Sequence, residues 1–325
     1  MRMNEICQKY HISRKTVHFY IQSDLLHPLK EDNNYYRFSS ENEEELKLVL
    51  RMRKAGISIE GIQDMLKYPS CANFFLFRQR VQLKKGMAEQ KCAVENIERI
   101  FDEIPPNSTP NNIMAIEERE LHAAKAVFDE IDARLTARMT AIFLFTPFMA
   151  QEVDDYRQFI WEKIVNITKR ELGEVLPALM EHMAGLSTET VVTLSNQLAY
   201  RFISVMNDEI EKNVEYLAGA LHRLCTDENM QRIWIRAYDS FIIPVRNIYQ
   251  KCHKTLIHEY TATYARCMEK VEMVLHQCGQ RIDEEQMHVL LEATDNRLDL
   301  LDGPVNDLFV LFCMEDSVFL SPEII

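Results

Sequence analysis

The sequence predicts an all-α protein carrying one small β-hairpin wing. Three observations predict it. The 325 residues abound in Glu, Leu, Lys, Arg, Met and Ala yet include only 8 Gly and 10 Pro, a balance that favours helices over sheets. Apolar residues recur at helical spacing through most of the chain, and no long strand-like alternation stands out. Ser, Thr and Asp stand repeatedly just ahead of these periodic runs, where a side-chain oxygen caps a helix.

The length suggests two units and a connector, and the punctuation divides the chain into 1–70, 71–104, 105–112 and 113–325. Charge divides it too. The net charge of -13 is an average: residues 1–67 carry 11 Lys+Arg against 10 Asp+Glu, and residues 105–325 carry 20 against 35, a net -15. The first hundred residues can therefore approach a phosphate backbone, while the acidic remainder favours solubility.

Eight cysteines form no CxxC and no regular framework, and no leader-like segment opens the sequence. They read as reduced thiols of a cytoplasmic protein. The longest apolar stretches, Ala141 to Ala150 and Leu308 to Met314, fall short of the ~20 residues that span a bilayer, so no membrane partner is expected.

Asn4 to Tyr10 forms a short amphipathic helix with Ile6 and Cys7 inward, and His11-Ile12 breaks it. Ser13 caps a second helix, Arg14 to Ser23, on which Val17, Tyr20 and Ile21 pack at i, i+3, i+4. Arg14, Lys15, Thr16, His18 and Phe19 are left on or near the open side. Two short helices joined by a tight turn, the second basic and aromatic, match a helix-turn-helix DNA reader. Lys30 to Phe38 then reads as a hairpin turning at Asn33-Asn34, with Tyr36 and Arg37 suited to a phosphate-sugar surface. Ser40 with Glu43 is expected to cap a helix through Arg53, and Ser58 another from Ile59 to Lys67.

The succession Ser13-Arg14-Lys15-Thr16-Val17-His18-Phe19-Tyr20, Leu25-Leu26-x-Pro28, Tyr36-Arg37 and Arg51-Met52-Arg53-Lys54-Ala55-Gly56-Ile57-Ser58 resembles the winged helix-turn-helix of the MerR family over roughly residues 3–67. The resemblance implies a recognition helix using Ser13, Arg14, Lys15, Thr16, His18 and Tyr20, and a wing gripping phosphate through Tyr36 and Arg37. His18 stands where the family usually has Arg, Ile21 replaces an acidic residue, and His11 and Asp24 occupy places where Gly is usual.

From Leu76 to Ile104, alternating spacings of 4 and 3 pick out Leu76, Arg80, Leu83, Met87, Gln90, Val94, Ile97, Phe101 and Ile104. Seven of these nine positions are apolar, the pattern of a coiled-coil seam in which Leu76, Leu83, Met87, Val94, Ile97 and Phe101 carry dimerisation. The other reading is a stripe packed on its own C-terminal domain. The family resemblance implies the first: an antiparallel two-chain coil spacing two readers. Pro105 to Asn112, with three prolines, is the linker.

Residues 113–325 read as a helical bundle domain with segments near 113–145, 153–172, 174–184, 188–212, 214–224, 227–250, 251–278, 283–294 and 304–314. From Tyr156 to Tyr249 the run Leu198-Ala199-x-Arg201-Phe202, Leu221-x-x-Leu224, Asp227-Glu228-Asn229 and Tyr238-x-x-Phe241-Ile242 resembles the TipAS-type drug-sensing domains. That implies capture of a lipophilic small-molecule effector, with Trp161, Phe202, Met206, Trp234, Tyr238 and Phe241 as wall residues and Glu209 or Asp239 as counter-charge. An aromatic and Met stripe at helical spacing is also what an ordinary core looks like.

No metal site is expected. Cys252-His253 and His258 share one predicted helix, on which the two histidines point about 140° apart. GxGxxG, P-loop, GxSxG and HExxH motifs are absent, so the chain is expected to be no enzyme and to use no cofactor. These resemblances together imply a homodimeric regulator that binds double-stranded promoter DNA, acts on RNA polymerase indirectly and answers a small-molecule effector. The alternative is a helical protein-interaction module without specific DNA binding.

Overall fold

A computed structural model describes residues 1–31, 35–103, 127–149, 154–207, 209–253, 255–300 and 305–314, with side chains described outside 99–103. The expected turn at Asn33-Asn34 and the linker at 105–112 lie outside the described residues. The chain divides into two compact units, Met1–Gln82 and Leu83–Ile325. The described residues are overwhelmingly helical with one two-stranded hairpin, as the sequence predicts.

In the first unit, α1 (Met3–Tyr10) ends on His11, whose φ of 54° is left-handed. α2 (Arg14–Gln22) starts from Ser13, whose Oγ accepts the Thr16 amide at 3.0 Å. β1 (Leu29–Lys30) and β2 (Tyr36–Arg37) pair antiparallel, with Lys30 opposite Tyr36. Arg2 bridges to Arg37, and the Phe38 amide donates to the Met1 carbonyl at 2.8 Å, so the start of the sequence extends the hairpin. α3 (Ser40–Lys54) and α4 (Ile59–Lys67) follow, with Gly56 between them at φ +84°, a left-handed position that suits a residue without Cβ. Ile6, Val17, Leu25, Leu26, Phe38, Leu46, Val49 and Ile62 form the core.

The cap of α3 is Ser39 rather than Ser40. Its amide donates to Asn42 Oδ1 at 3.0 Å and its Oγ accepts the Asn42 amide at 3.3 Å. Asn42 decides the register because it is buried and donates from Nδ2 to the His27 carbonyl and to Glu45, both at 3.0 Å. A buried amide keeps the position that satisfies it.

α5 (Ala72–Glu103) is one helix of 32 residues that crosses from the first unit into the second. Arg78 Nη2 reaches Asp64 of α4 at 3.1 Å. In the second unit α6 (Glu130–Phe145) opens with a reciprocal cap between Asp129 and Asp132. Lys84 of α5 holds both carboxylates, at 2.8 Å for Asp129 and in a closer pair with the fully buried Asp132.

The bundle continues with α7 (Asp155–Glu171), α8 (Leu176–Gly185), α9 (Thr188–Met206), α10 (Ile210–Thr226), α11 (Glu228–Ala237), α12 (Ile243–His253), α13 (Ile257–Tyr260), α14 (Ala262–Gly279), α15 (Glu284–Ala293) and α16 (Asp307–Met314). α7 packs on α6 and α12, α14 on α9 and α10, and α16 lies between α10 and α12. Every residue of α16 is buried, including Asp307. A helix apolar all round belongs at a centre, and edge-to-face rings surround it. Phe309 meets Tyr249 at 4.8 Å, Phe312 meets Phe202 at 6.0 Å, and Phe148 joins Phe202 at 4.9 Å to Tyr264 at 4.8 Å.

Three expected helix boundaries are corrected. No break falls near residue 213: α9 ends at Met206 and α10 runs from Ile210, with Asn213 a buried interior residue donating to Ser204 Oγ at 3.0 Å and the Glu209 carbonyl at 2.7 Å. The expected helix 251–278 is interrupted, and Thr261, extended at φ -154°, caps α14. The expected helix 227–250 contains a π-turn at Tyr238–Ile242, where the Ile243 amide donates five residues back to the Tyr238 carbonyl. Pro244 follows at once; it has no amide proton and crowds the carbonyl four residues earlier, which favours widening the turn.

That extra residue aligns four side chains. In a regular helix Trp234, Tyr238, Arg246 and Gln250 would fan over about 160°, but a π-turn absorbs one residue and gathers them within about 60°. All four grip the segment that leads into α16. Trp234 Nε1 donates to the Arg297 carbonyl at 2.7 Å and Gln250 Nε2 to the Val305 carbonyl at 2.9 Å. Tyr238 Oη reaches Asp307 Oδ2 at 2.8 Å, and Arg246 Nη1 reaches Asp307 Oδ1 at 2.9 Å and Asp299 at 3.1 Å. Burial raises the Asp307 carboxyl above its ordinary range despite these donors.

Candidate nucleic-acid interface

α2 owes its outward face to simple periodicity. Val17 and Tyr20 turn into the core, and Arg14, Lys15, His18, Phe19 and Gln22 are exposed. At 100° per residue, Lys15 and Gln22 lie opposite the Val17–Tyr20 side, with Phe19 and His18 flanking them by about 50° each. Thr16 is half-buried, and its hydroxyl lies 2.8 Å from that of Ser13. Tyr20, 6 % exposed, is the one residue of the expected recognition set on the core side.

The hairpin flanks this face. The His18 ring meets the Tyr36 ring edge-on at a centroid distance of 5.6 Å, which joins α2 to the hairpin. Arg37 and Lys30 are exposed and Tyr36 is half-buried. Seven of the eight expected contact residues thus fall on α2, its Ser13 cap or the hairpin without being buried, and Tyr20 is the exception.

Electrostatics sets this face apart from the rest of the unit. Lys9 pairs with Glu43, and Lys47 lies 2.6 Å from Glu44 and 3.7 Å from Glu43. Those cations, with the Tyr10 hydroxyl, hold the Glu43 carboxyl down at about 2. His27 sits between Asp24 and Glu45, each at 3.1 Å, and chiefly the Glu45 bond raises its ring. Among the described residues no carboxylate pairs with Arg14, Lys15, Lys30 or Arg37. The first turn of α2 also holds no acidic residue, so the positive end of its dipole is not neutralised there. Unpaired cations beside a helix start suit an anionic backbone.

Of the expected dimer seam, Leu76, Leu83, Met87, Val94 and Ile97 are exposed by 41, 50, 70, 53 and 64 %. The Phe101 side chain is outside the described residues. Phe74, Phe75, Phe77 and Val81 take the buried side of α5.

The expected effector residues are spread through the second unit. Trp161 packs on Tyr260, and Phe202 belongs to the central aromatic cluster. Trp234 and Tyr238 are neighbours at 6.3 Å, engaged with the segment before α16. Phe241 is buried and Met206 half-buried. Glu209 accepts from Ser204 at 2.8 Å and Lys212 at 2.9 Å, and Asp239 lies 3.7 Å from Arg297. None of the six lines an open cleft of about 590 Å³ walled by Leu275, Ile282, Met287 and Leu308 with Glu272 and His276.

His253 and His258 do converge, their rings 5.7 Å apart, because the helix expected to separate them is broken. His253 Nδ1 lies 3.2 Å from the Tyr264 hydroxyl. Among the described residues no group of three or more His, Cys, Asp or Glu could hold a metal ion. Burial pushes the thiols of Cys252, Cys267 and Cys313 up to about 12 and that of Cys278 to about 11, and all eight cysteines are free. Such thiols are poor nucleophiles. No described helix is long and apolar enough to cross a membrane.

No curated protein and no solved structure matches the chain. Residues 1–68 match the family model described as MerR HTH family regulatory protein. Residues 1–68 therefore form a MerR-family helix-turn-helix domain, the DNA-binding part of a transcription regulator.

Proposed function

We propose that the chain is a homodimeric, effector-responsive transcription regulator that sets two winged units on a promoter duplex. The observation that carries the reading is the unpaired cationic face of α2 and the wing, with its core side buried and its reading side exposed. α2 enters the major groove by its first turns through Arg14, Lys15 and His18, and Tyr36 and Arg37 fix the register on phosphates. The exposed stripe of α5 supports pairing with a second copy, since an apolar seam of this length is costly in water. Two-fold pairing then reads a pseudo-palindromic site.

The second unit biases the arrangement of the paired helices. Lys84 is its described ionic hold on α5, one residue from Leu83 of the seam. An effector shifts that arrangement only if it binds one state better than the other. The buried rings Trp161, Phe202, Trp234, Tyr238 and Phe241 serve as walls in the state whose packing opens, whereas the cleft on α14 needs no opening. Bending and untwisting the duplex between promoter elements brings polymerase contacts into line, at a deformation cost that backbone contacts offset.

The test is to titrate the full chain against the DNA upstream of its own coding sequence, with and without excess random duplex. Saturable binding that survives the competitor supports the reading. Binding abolished by competitor would leave the helical protein-interaction module.

A further inference from the structure

Phe19 is 48 % exposed on the reading face of α2, one turn from Lys15 and from Gln22. Its nearest described ring is that of the adjacent Tyr20, at 6.1 Å. A large apolar ring on a nine-residue helix that otherwise displays Arg14, Lys15, His18 and Gln22 is costly in water unless it meets an apolar surface. The surrounding unpaired cations fit a phosphate-bounded groove better than an apolar protein patch. Within a major groove the apolar feature is the C5-methyl group of thymine.

We propose that Phe19 is a specificity-determining residue that reads a thymine methyl in each half-site. The inference rests on the DNA-binding reading above. Lys15 and Arg14 supply the attraction to the backbone, and Phe19 supplies discrimination: its ring removes the methyl from water only where a thymine stands. The contact is apolar, so its effect on affinity persists at salt concentrations that weaken the ionic contacts.

The probe is a duplex recovered by the full-length wild-type chain from a randomised library and resynthesised with each thymine replaced singly by deoxyuridine, which removes only the methyl. Fluorescence anisotropy should show the wild type losing about fourfold in affinity at one thymine per half-site, the worth of one buried methyl. Phe19→Ala, which keeps the fold because the ring is half exposed, should bind the two duplexes equally. Phe19→Leu should retain a smaller preference. A Phe19→Ala protein that still prefers the methylated base, or a wild type indifferent to every replacement, overturns the inference while leaving DNA binding intact. Recovery of no duplex at all would remove the DNA-binding reading and this inference with it.

Discussion

Replacing Arg246 by Met should destabilise the second unit by about 3 kcal/mol at pH 7, and the deficit should shrink as the solution is acidified. Arg246 Nη1 meets Asp307 at 2.9 Å and Asp299 at 3.1 Å, and Asp307 is fully buried. Met preserves most of the aliphatic stem, so the cavity cost is small. Asp299 is partly exposed and rehydrates, costing at most about 1 kcal/mol. Asp307 keeps Tyr238 Oη at 2.8 Å and the Asp299 amide at 2.6 Å, but a buried carboxylate stripped of its cation costs about 3–5 kcal/mol. Among the described residues Arg246 Nε is buried without a hydrogen-bond partner, and removing it returns about 1 kcal/mol.

The pH dependence follows from the direction of the Asp307 shift. Its folded carboxyl titrates above its unfolded value because of burial. Its contribution to stability is therefore best below the unfolded value and declines as pH rises through the folded one. Losing Arg246 raises the folded value further, so the gap between wild type and variant is widest near neutrality and narrows toward the ordinary carboxylate range. Thermal unfolding followed by circular dichroism at pH 7 and pH 4.5 measures this. A loss near 3 kcal/mol corresponds to a lowering of roughly 6–12 °C in the transition of the second unit. Adding Asp307→Asn to Arg246→Met should recover part of it. A loss under about 1 kcal/mol, or a gap that widens on acidification, would mean that Arg246 does not neutralise a buried Asp307 carboxylate.

The remaining predictions concern the first unit and α5. His11→Gly should stabilise the first unit by about 0.5–1 kcal/mol in urea unfolding, because His11 holds φ 54°, a conformation that glycine adopts without Cβ strain; destabilisation would mean that the imidazole makes an unrecognised contact. Leu83→Asp places a charge on the exposed stripe of α5 and should convert dimers to monomers in sedimentation equilibrium. A dimer indifferent to that change refutes the seam.

The reader unit was legible because its signals are local. Ser13 and Ser58 cap where predicted, and Val17 and Tyr20 face inward as the i, i+3 spacing requires. Ser39 and Ser40 are adjacent, each with a plausible partner three residues on, and only the tertiary burial of Asn42 chooses between them. The seam spacing on α5 was readable because a repeat of 4 and 3 is a property of one helix. Phe19 was legible the same way, since the spacing leaves this apolar residue on the open side of α2.

In the second unit the rules of one helix stop short. Asn213 looks like a breaker but is satisfied inside α10 by Ser204 and Glu209. His253 and His258 would point apart only on one continuous helix, which the chain does not form. The π-turn had one local signal, Pro244 within a helical pattern, but its consequence for Tyr238 and Arg246 depends on where α16 lies. The same buried rings read as pocket walls or as core, and spacing alone does not distinguish the two.

On the proposed reading, α2 and the wing grip a duplex through the cations of Arg14, Lys15 and Arg37. The decisive measurement is affinity for a recovered duplex as a function of salt for wild type, Lys15→Ala and Arg37→Ala. Each variant should bind more weakly, and a lost phosphate contact should lower the log–log salt slope by about 1, with folding unchanged. Slopes and affinities equal to wild type in both variants would contradict it.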